Sequence, residues 1–167
     1  MKSSHAHLED DDKAARGGGP QRPAPPPIKA AHVMRPPARP HGLGVVLIAD
    51  DTDDTRELYG LYFRTLGFTV VTAVDGQAAI EAAMEHRPDV VVMDLAMPRI
   101  DGITATERLR RDARTQGTPI ILLTGYPQRA IERGALQAGV DVFLTKPCLP
   151  DELETHVRRL LQARSDR

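Results

Sequence analysis

Residues 45–51 read Val-Val-Leu-Ile-Ala-Asp-Asp. Five apolar residues in succession, stopped by two carboxylates, describe a strand covered on both faces, since a half-exposed strand would alternate apolar with polar. A helical pattern follows at once. Thr52 or Asp53 stands where a helix cap belongs, and Leu58, Leu61, Tyr62 and Leu66 are expected to share its buried face. Gly67 suits the residue just past the helix end.

The same unit recurs downstream. Residues 68–73 read as a second strand, and Asp75 caps a helix that buries Ile80, Ala83 and Met84 and stops at Arg87-Pro88. Val90–Met93 forms a third strand, followed by a helix capped by Asp101 and running to about Arg114. Pro119–Leu123 is the fourth strand, with a helix over 127–138 closed by Gly139. Val140–Leu144 is the fifth, and Pro150 opens a last helix with Leu153, Val157, Leu160 and Leu161 on one face. Five strand–helix units in sequence imply one parallel sheet with helices on both sides.

Upstream of Leu43 the composition changes. Residues 1–42 hold 8 of the 14 prolines, a run of three glycines at 17–19 and few large apolar side chains. Such a segment buries too little surface to offset its ordering entropy, so it is expected to be a disordered tail, and residues 43–164 to be the folded domain. The stretch Pro23–Pro27 is expected to lean towards polyproline geometry as a solvated spacer.

The net charge of −1 divides into +3 over residues 1–44 and −4 over the rest. An acidic domain without a basic stripe, zinc-ligand spacing or an aromatic base-stacking platform is not expected to bind nucleic acid. No apolar run approaches the roughly 20 residues that cross a bilayer, and the polar N-terminus lacks a secretory core. A single cysteine, Cys148, fits a reducing compartment. The chain is expected to be soluble and cytoplasmic, with no membrane partner.

In a parallel sheet, binding residues lie beyond the C-terminal ends of the strands. The first strand delivers Asp50 and Asp51 there, the third Asp94, the fourth Thr124 and the fifth Lys146. Three converging carboxylates would repel one another, so a divalent cation is expected, and an oxygen-only set suits Mg²⁺ or Mn²⁺. A cation, an ammonium and a hydroxyl are the groups that neutralise and orient a transferring phosphoryl group. Lys146 is the only lysine after Lys29 in a domain that otherwise uses arginine, and a compact ammonium suits an oxyanion as a point charge.

With VVLIADD at 45–51, the segment Asp94-Leu-Ala-Met-Pro98 before Asp101-Gly102, then Leu123-Thr124-Gly125 and Phe143-Leu-Thr-Lys146-Pro147, the chain resembles the response-regulator receiver domain of two-component signalling. The separations of 43, 30 and 22 residues between Asp51, Asp94, Thr124 and Lys146 agree with that family. The resemblance covers about Leu43 to Ala163. It implies an α/β fold, a doubly wound five-stranded parallel sheet of flavodoxin-like order 2-1-3-4-5 with five flanking helices. It also implies that Asp94 accepts a phosphoryl group from a histidine kinase or histidine phosphotransfer protein. Asp50, Asp51 and Asp94, with the backbone carbonyl of Ala96, would hold Mg²⁺, and Thr124 and Lys146 would bind the phosphoryl oxygens. Phe143 takes the place of the family's aromatic switch residue, coupled to Thr124.

The chain departs from a bare family pattern in its acidic Thr52-Asp53-Asp54 and in Ala96 and Tyr126, positions where the family varies. Only four residues follow Ala163, so a stand-alone receiver is expected, signalling by protein–protein contact through a face of the fourth helix, fifth strand and fifth helix that includes Arg129, Arg133, Asp141 and Arg158. Its downstream protein is not named by the sequence.

Two other readings compete. Asp51-Thr-Asp53-Asp-Thr55 fits the D-x-D-x-T opening of haloacid-dehalogenase-type phosphatases, with Asp51 as nucleophile and Asp53 as general acid. That reading leaves Asp94–Pro98 without a role and needs an acidic motif on a strand after Lys146. The other, an interaction module independent of phosphorylation, runs against the presence of every acidic and basic site group.

Overall fold

The computed structural model describes residues 42–166. Ten elements alternate along the chain: β1 (Val45–Ala49), α1 (Asp53–Thr65), β2 (Thr69–Ala73), α2 (Gly76–His86), β3 (Val90–Asp94), α3 (Gly102–Arg111), β4 (Ile120–Thr124), α4 (Arg129–Ala138), β5 (Val142–Thr145) and α5 (Pro150–Ser165). The strands form one parallel sheet in the order β2-β1-β3-β4-β5, the flavodoxin-like order expected. Residues 1–41, which hold nearly all of the expected tail, lie outside the described residues.

The three central strands are apolar up to their C-terminal ends, where β3 closes on Asp94 and β4 on Thr124, because each side chain before that faces one of two cores. Leu47, Val91, Met93, Ile120 and Leu122 point to one side, where Ala79, Ile80, Ala83, Ala105, Leu109 and Ala135 of α2, α3 and α4 cover them. Val46, Ile48, Val90, Val92, Ile121 and Leu123 point to the other, under Tyr59 and Phe63 of α1 and Leu153 and Val157 of α5. Each fully buried aliphatic side chain contributes roughly 1.5–3 kcal/mol against exposure, so the central strands dominate the cohesion of the fold. Alanines let α2, α3 and α4 approach the sheet closely.

The buried face of α1 differs from the one expected. Leu58 and Leu61 are 55% and 60% exposed, while Tyr59 and Phe63 are buried and Tyr62 and Leu66 half-buried. At about 100° per residue, positions 59, 62, 63 and 66 share one narrow stripe, and 58 and 61 fall outside it. The aromatic pair wins the stripe because it buries more area, and Phe63 stacks edge-on with Phe68 at 5.5 Å.

Helix α3 stops at Arg111 rather than about Arg114. The Asp112 carboxylate accepts the Arg114 backbone N–H at 2.9 Å, a local bond that competes with the helical ladder and turns the chain. Asp75 and Asp101 cap α2 and α3 as expected. Thr52 occupies the cap position of α1 without a side-chain capping bond; its own N–H is taken by Asp50 at 2.9 Å.

The chain runs from β1 to β2 on one side and returns to β3 on the other. Between β1 and β3 the strand order therefore reverses, which opens a crevice beyond their C-terminal ends.

Candidate functional site

Asp50 follows the last residue of β1, and Asp94 is the last residue of β3, so adjacent strands bring two carboxylates to that crevice. Both are nearly inaccessible, Asp50 at 1% and Asp94 at 5% exposure. Lys146, just past β5, reaches across β4: its Nζ lies 2.6 Å from Asp94 Oδ1 and 2.7 Å from Asp50 Oδ2. The second Asp50 oxygen accepts the Thr52 N–H. Lys146 is itself fixed by a backbone bond from its N–H to the Thr124 carbonyl, 2.7 Å.

Charge explains the protonation behaviour. Burial alone would push the Lys146 ammonium down, but hydrogen bonds and attraction from Asp50 and Asp94 outweigh it and hold its pKa above the ordinary value. Asp94 is pushed up by burial, and neither Lys146 nor the Ala96 backbone N–H fully reverses this. One ammonium shared by two carboxylates leaves the pair with a net negative charge, to which Asp51 adds another.

The expected crowd of three carboxylates takes a different form. Asp51 is exposed in the β1–α1 connection, and among the described residues no three His, Cys, Asp or Glu side chains are gathered as a ready metal cage. The positive charge between Asp50 and Asp94 is Lys146. The donor chemistry still fits a hard divalent cation: two buried carboxylates, an exposed third one residue on, and residual negative charge.

Thr124 ends β4, is buried, and accepts the Tyr126 N–H on its Oγ1 at 3.0 Å. Phe143 is half-buried against the α2–α4 core and pairs in register with Leu122, two residues before Thr124 on the same face of β4. Ala96 is exposed, and Tyr126 is 69% exposed. Cys148 is buried, and burial followed by the nearby Glu152 charge pushes its thiol up to about 11, as expected of a packing residue.

The connection after Asp94 is locked to its surroundings. A Cβ on Gly102 would stand 2.4 Å from the Asp94 carbonyl, and one on Gly76 2.0 Å from the Ile100 carbonyl, so both helix starts need glycine for close approach. Arg99 binds the buried carboxylate of Asp75, which also caps α2, and so ties this connection to α2.

The four residues expected on an output face have different surroundings. Arg129 and Arg133 are exposed on α4, but Asp141 is engaged by Arg110 and by the Ile120 N–H. Arg158 lies on the opposite side of α5, bonded to Glu154 and 5.8 Å over the Phe68 ring. Positions 154 and 158 are one turn apart and face α1, where Tyr62 also binds Glu154.

Two residues near the site were not anticipated. Arg56 donates to the Asp50 carbonyl at 2.7 Å, and Tyr59 donates to the Cys148 carbonyl at 2.8 Å. The available signal was Tyr59 itself, because a buried tyrosine needs a partner for its hydroxyl. The phosphatase reading loses its geometry: Asp51 is exposed, and the Asp53 carboxylate is taken by Arg56 on the first turn of α1.

Comparison with known proteins agrees with this arrangement. The family model of the response regulator receiver domain matches residues 46–158. The DNA-binding dual master transcriptional regulator RpaA of Synechocystis sp. is 37% identical over 122 residues, 73% of this chain and 50% of that protein. The chain spans about half the length of the curated relatives it matches first. Among solved structures, the receiver domain of the Francisella response regulator 1452 superposes with a TM-score of 0.67 at 31% identity, covering 72% of this chain and 98% of that one. The receiver domain of the sensor histidine kinase PA1611 from Pseudomonas aeruginosa, solved with magnesium coordinated in its active-site cleft, gives 0.66 at 29% identity, with 71% and 98% covered. On sequence, strand order and family match together, this chain belongs to the response-regulator receiver domains.

Proposed function

We propose that Asp94 accepts a phosphoryl group from a phosphohistidine on a histidine kinase or phosphotransfer protein, within a receiver domain spanning residues 43–164. The observation that carries this reading is the Lys146 ammonium 2.6 Å from Asp94 at the mouth of the sheet's crevice. An Asp94 carboxylate oxygen attacks phosphorus, the P–N bond to histidine breaks, and the imidazole leaves with the bonding pair. The product is an acyl phosphate. Lys146 neutralises the phosphoryl oxygens as charge builds on them, and the Thr124 hydroxyl turns from the Tyr126 N–H to bind one. Phe143, whose register partner Leu122 lies two residues before Thr124 on the same face of β4, follows that movement and reports it at the surface.

Asp50, Asp51, Asp94 and the Ala96 carbonyl would hold Mg²⁺, or Mn²⁺ in its place; bound there, the ion offsets charge between acceptor and phosphoryl group. The magnesium in the PA1611 receiver, a relative at 29% identity, supports this assignment. The domain acts as a signalling switch in the cytoplasm, with its own phosphorylation and dephosphorylation as its only chemistry. Among the described residues no helix is long and apolar enough to cross a membrane. Its output is a protein contact; the −4 charge over residues 45–167 argues against direct contact with nucleic acid.

Incubation with Mg²⁺ and radiolabelled acetyl phosphate tests the reading. Label is expected on the wild type and absent from Asp94→Asn; undiminished label in Asp94→Asn contradicts it.

A further inference from the structure

Helix α1 touches both connections that carry the site. Arg56 donates to the carbonyl of Asp50, and Tyr59, one turn later on the same side, donates to the carbonyl of Cys148. Cys148 lies two residues beyond Lys146, in the connection from β5 to α5. On its other side Lys146 is held by the backbone bond to Thr124. The stretch that presents the ammonium is therefore pinned at two points, one on β4 and one on α1.

Tyr59 is 4% exposed, and both ends of its bond to Cys148 are buried. Its phenol is pushed up to about 12, first by burial and then by Cys148, and it also feels the charges of Lys146 and Asp50. The hydroxyl stays protonated and remains a donor at any physiological pH.

We propose that Tyr59 is a positioning residue for Lys146, its hydroxyl fixing the Cys148 carbonyl so that the ammonium spans Asp50 and Asp94. The ion-paired geometry is then set from α1 rather than by the carboxylates alone. Phosphorylation at Asp94 needs the ammonium in a place that will meet the phosphoryl oxygens, and a displaced connection carries it out of reach.

A plain structural role, a buried hydroxyl finding a convenient acceptor, predicts something different, and the molecule supplies the comparison. Tyr62 lies on the same helix and donates to Glu154 of α5 at 2.7 Å. That bond also joins α1 to α5 but does not touch the connection that carries Lys146.

The lysine content makes the test direct. The protein has four lysines, and Lys2, Lys13 and Lys29 all precede the folded domain. In this chain with nitrogen-labelled lysine side chains, the ammonium of Lys146 is expected to stand apart by slow exchange with water. Tyr59→Phe is expected to speed that exchange about fivefold, the equivalent of one neutral hydrogen bond, while Tyr62→Phe leaves it unchanged. An unchanged rate in Tyr59→Phe, or an equal change in Tyr62→Phe, overturns the proposal. Should Tyr59→Phe not fold, meta-fluorotyrosine at position 59 provides a stronger donor; slower exchange supports the proposal and unchanged exchange overturns it.

A second arm rests on the phosphoryl-acceptor reading above. With Mg²⁺ present, Tyr59→Phe is expected to bind beryllofluoride about fivefold more weakly than the wild type or Tyr62→Phe, by fluorine NMR. A wild type that binds no beryllofluoride, alongside the expected exchange pattern, contradicts the acceptor reading while upholding the role of Tyr59.

Discussion

Lys146 Nζ stands 2.6 Å from Asp94 Oδ1, and the same nitrogen stands 2.7 Å from Asp50, so the proposed phosphorylation of Asp94 would have to rearrange an ion pair already formed. On that proposal the ammonium would move from a carboxylate oxygen to phosphoryl oxygens over a short path. Lys146→Arg keeps the charge but replaces a point donor with a planar fork. It is expected to fold and yet to lose the beryllofluoride-induced shift of the Phe143 ring resonances that is expected in the wild type. A wild-type shift in Lys146→Arg contradicts the geometric argument.

Asp51 is exposed, unlike its neighbour Asp50, which Lys146 and the Thr52 N–H already engage. A carboxylate free of such bonds is the one best placed to bind an incoming ion without first breaking them. Asp51→Asn is expected to weaken Mg²⁺ binding by about tenfold or more in calorimetric titration, with little change in the unfolding midpoint. Equal affinity in the two proteins removes Asp51 from the metal site.

The burial pattern of α1 makes a separate claim about stability. Phe63→Ala is expected to cost roughly 3–5 kcal/mol in denaturant unfolding, because the side chain is fully buried in the core beneath α1 and α5. Leu61→Ala, at 60% exposure, is expected to change stability by about 0.5 kcal/mol or less. Comparable losses in both mean that the α1 face has been misplaced.

That face marks where the sequence became hard to read. The central strands were legible because burial on both sides leaves an unbroken apolar run, as in Val45–Ala49 and Val90–Met93. On α1 apolar residues occupy too many positions for one stripe, and only packing decides that Tyr59 and Phe63 take it from Leu58 and Leu61. The convergence of Asp50, Asp94 and Lys146 was legible from their places at strand ends. Arg56 and Tyr59 were not, since each acts on a backbone carbonyl, and an acceptor of that kind leaves no mark in the side-chain sequence.

Ala96 and Tyr126 are both exposed in the connections that follow β3 and β4; Ala96 has no group to align a water for attack on the proposed acyl phosphate, and the Tyr126 ring is expected to obstruct one. The phosphoryl group is therefore expected to decay slowly. An Ala96→Asn, Tyr126→Glu double variant is expected to lose label several-fold faster after removal of the donor, timed by acid quench. Decay no faster than the wild type shows that these positions do not set the lifetime.

The central claim is that Asp94, rather than Asp50 or Asp51, carries the phosphoryl group. Borohydride reduces an aspartyl phosphate to homoserine and leaves a free carboxylate untouched, so peptide mapping after phosphorylation and reduction names the acceptor. Homoserine is expected at position 94 alone, and only when Mg²⁺ and phosphodonor were both present. Homoserine at position 50 or 51, with Asp94 intact, contradicts the account.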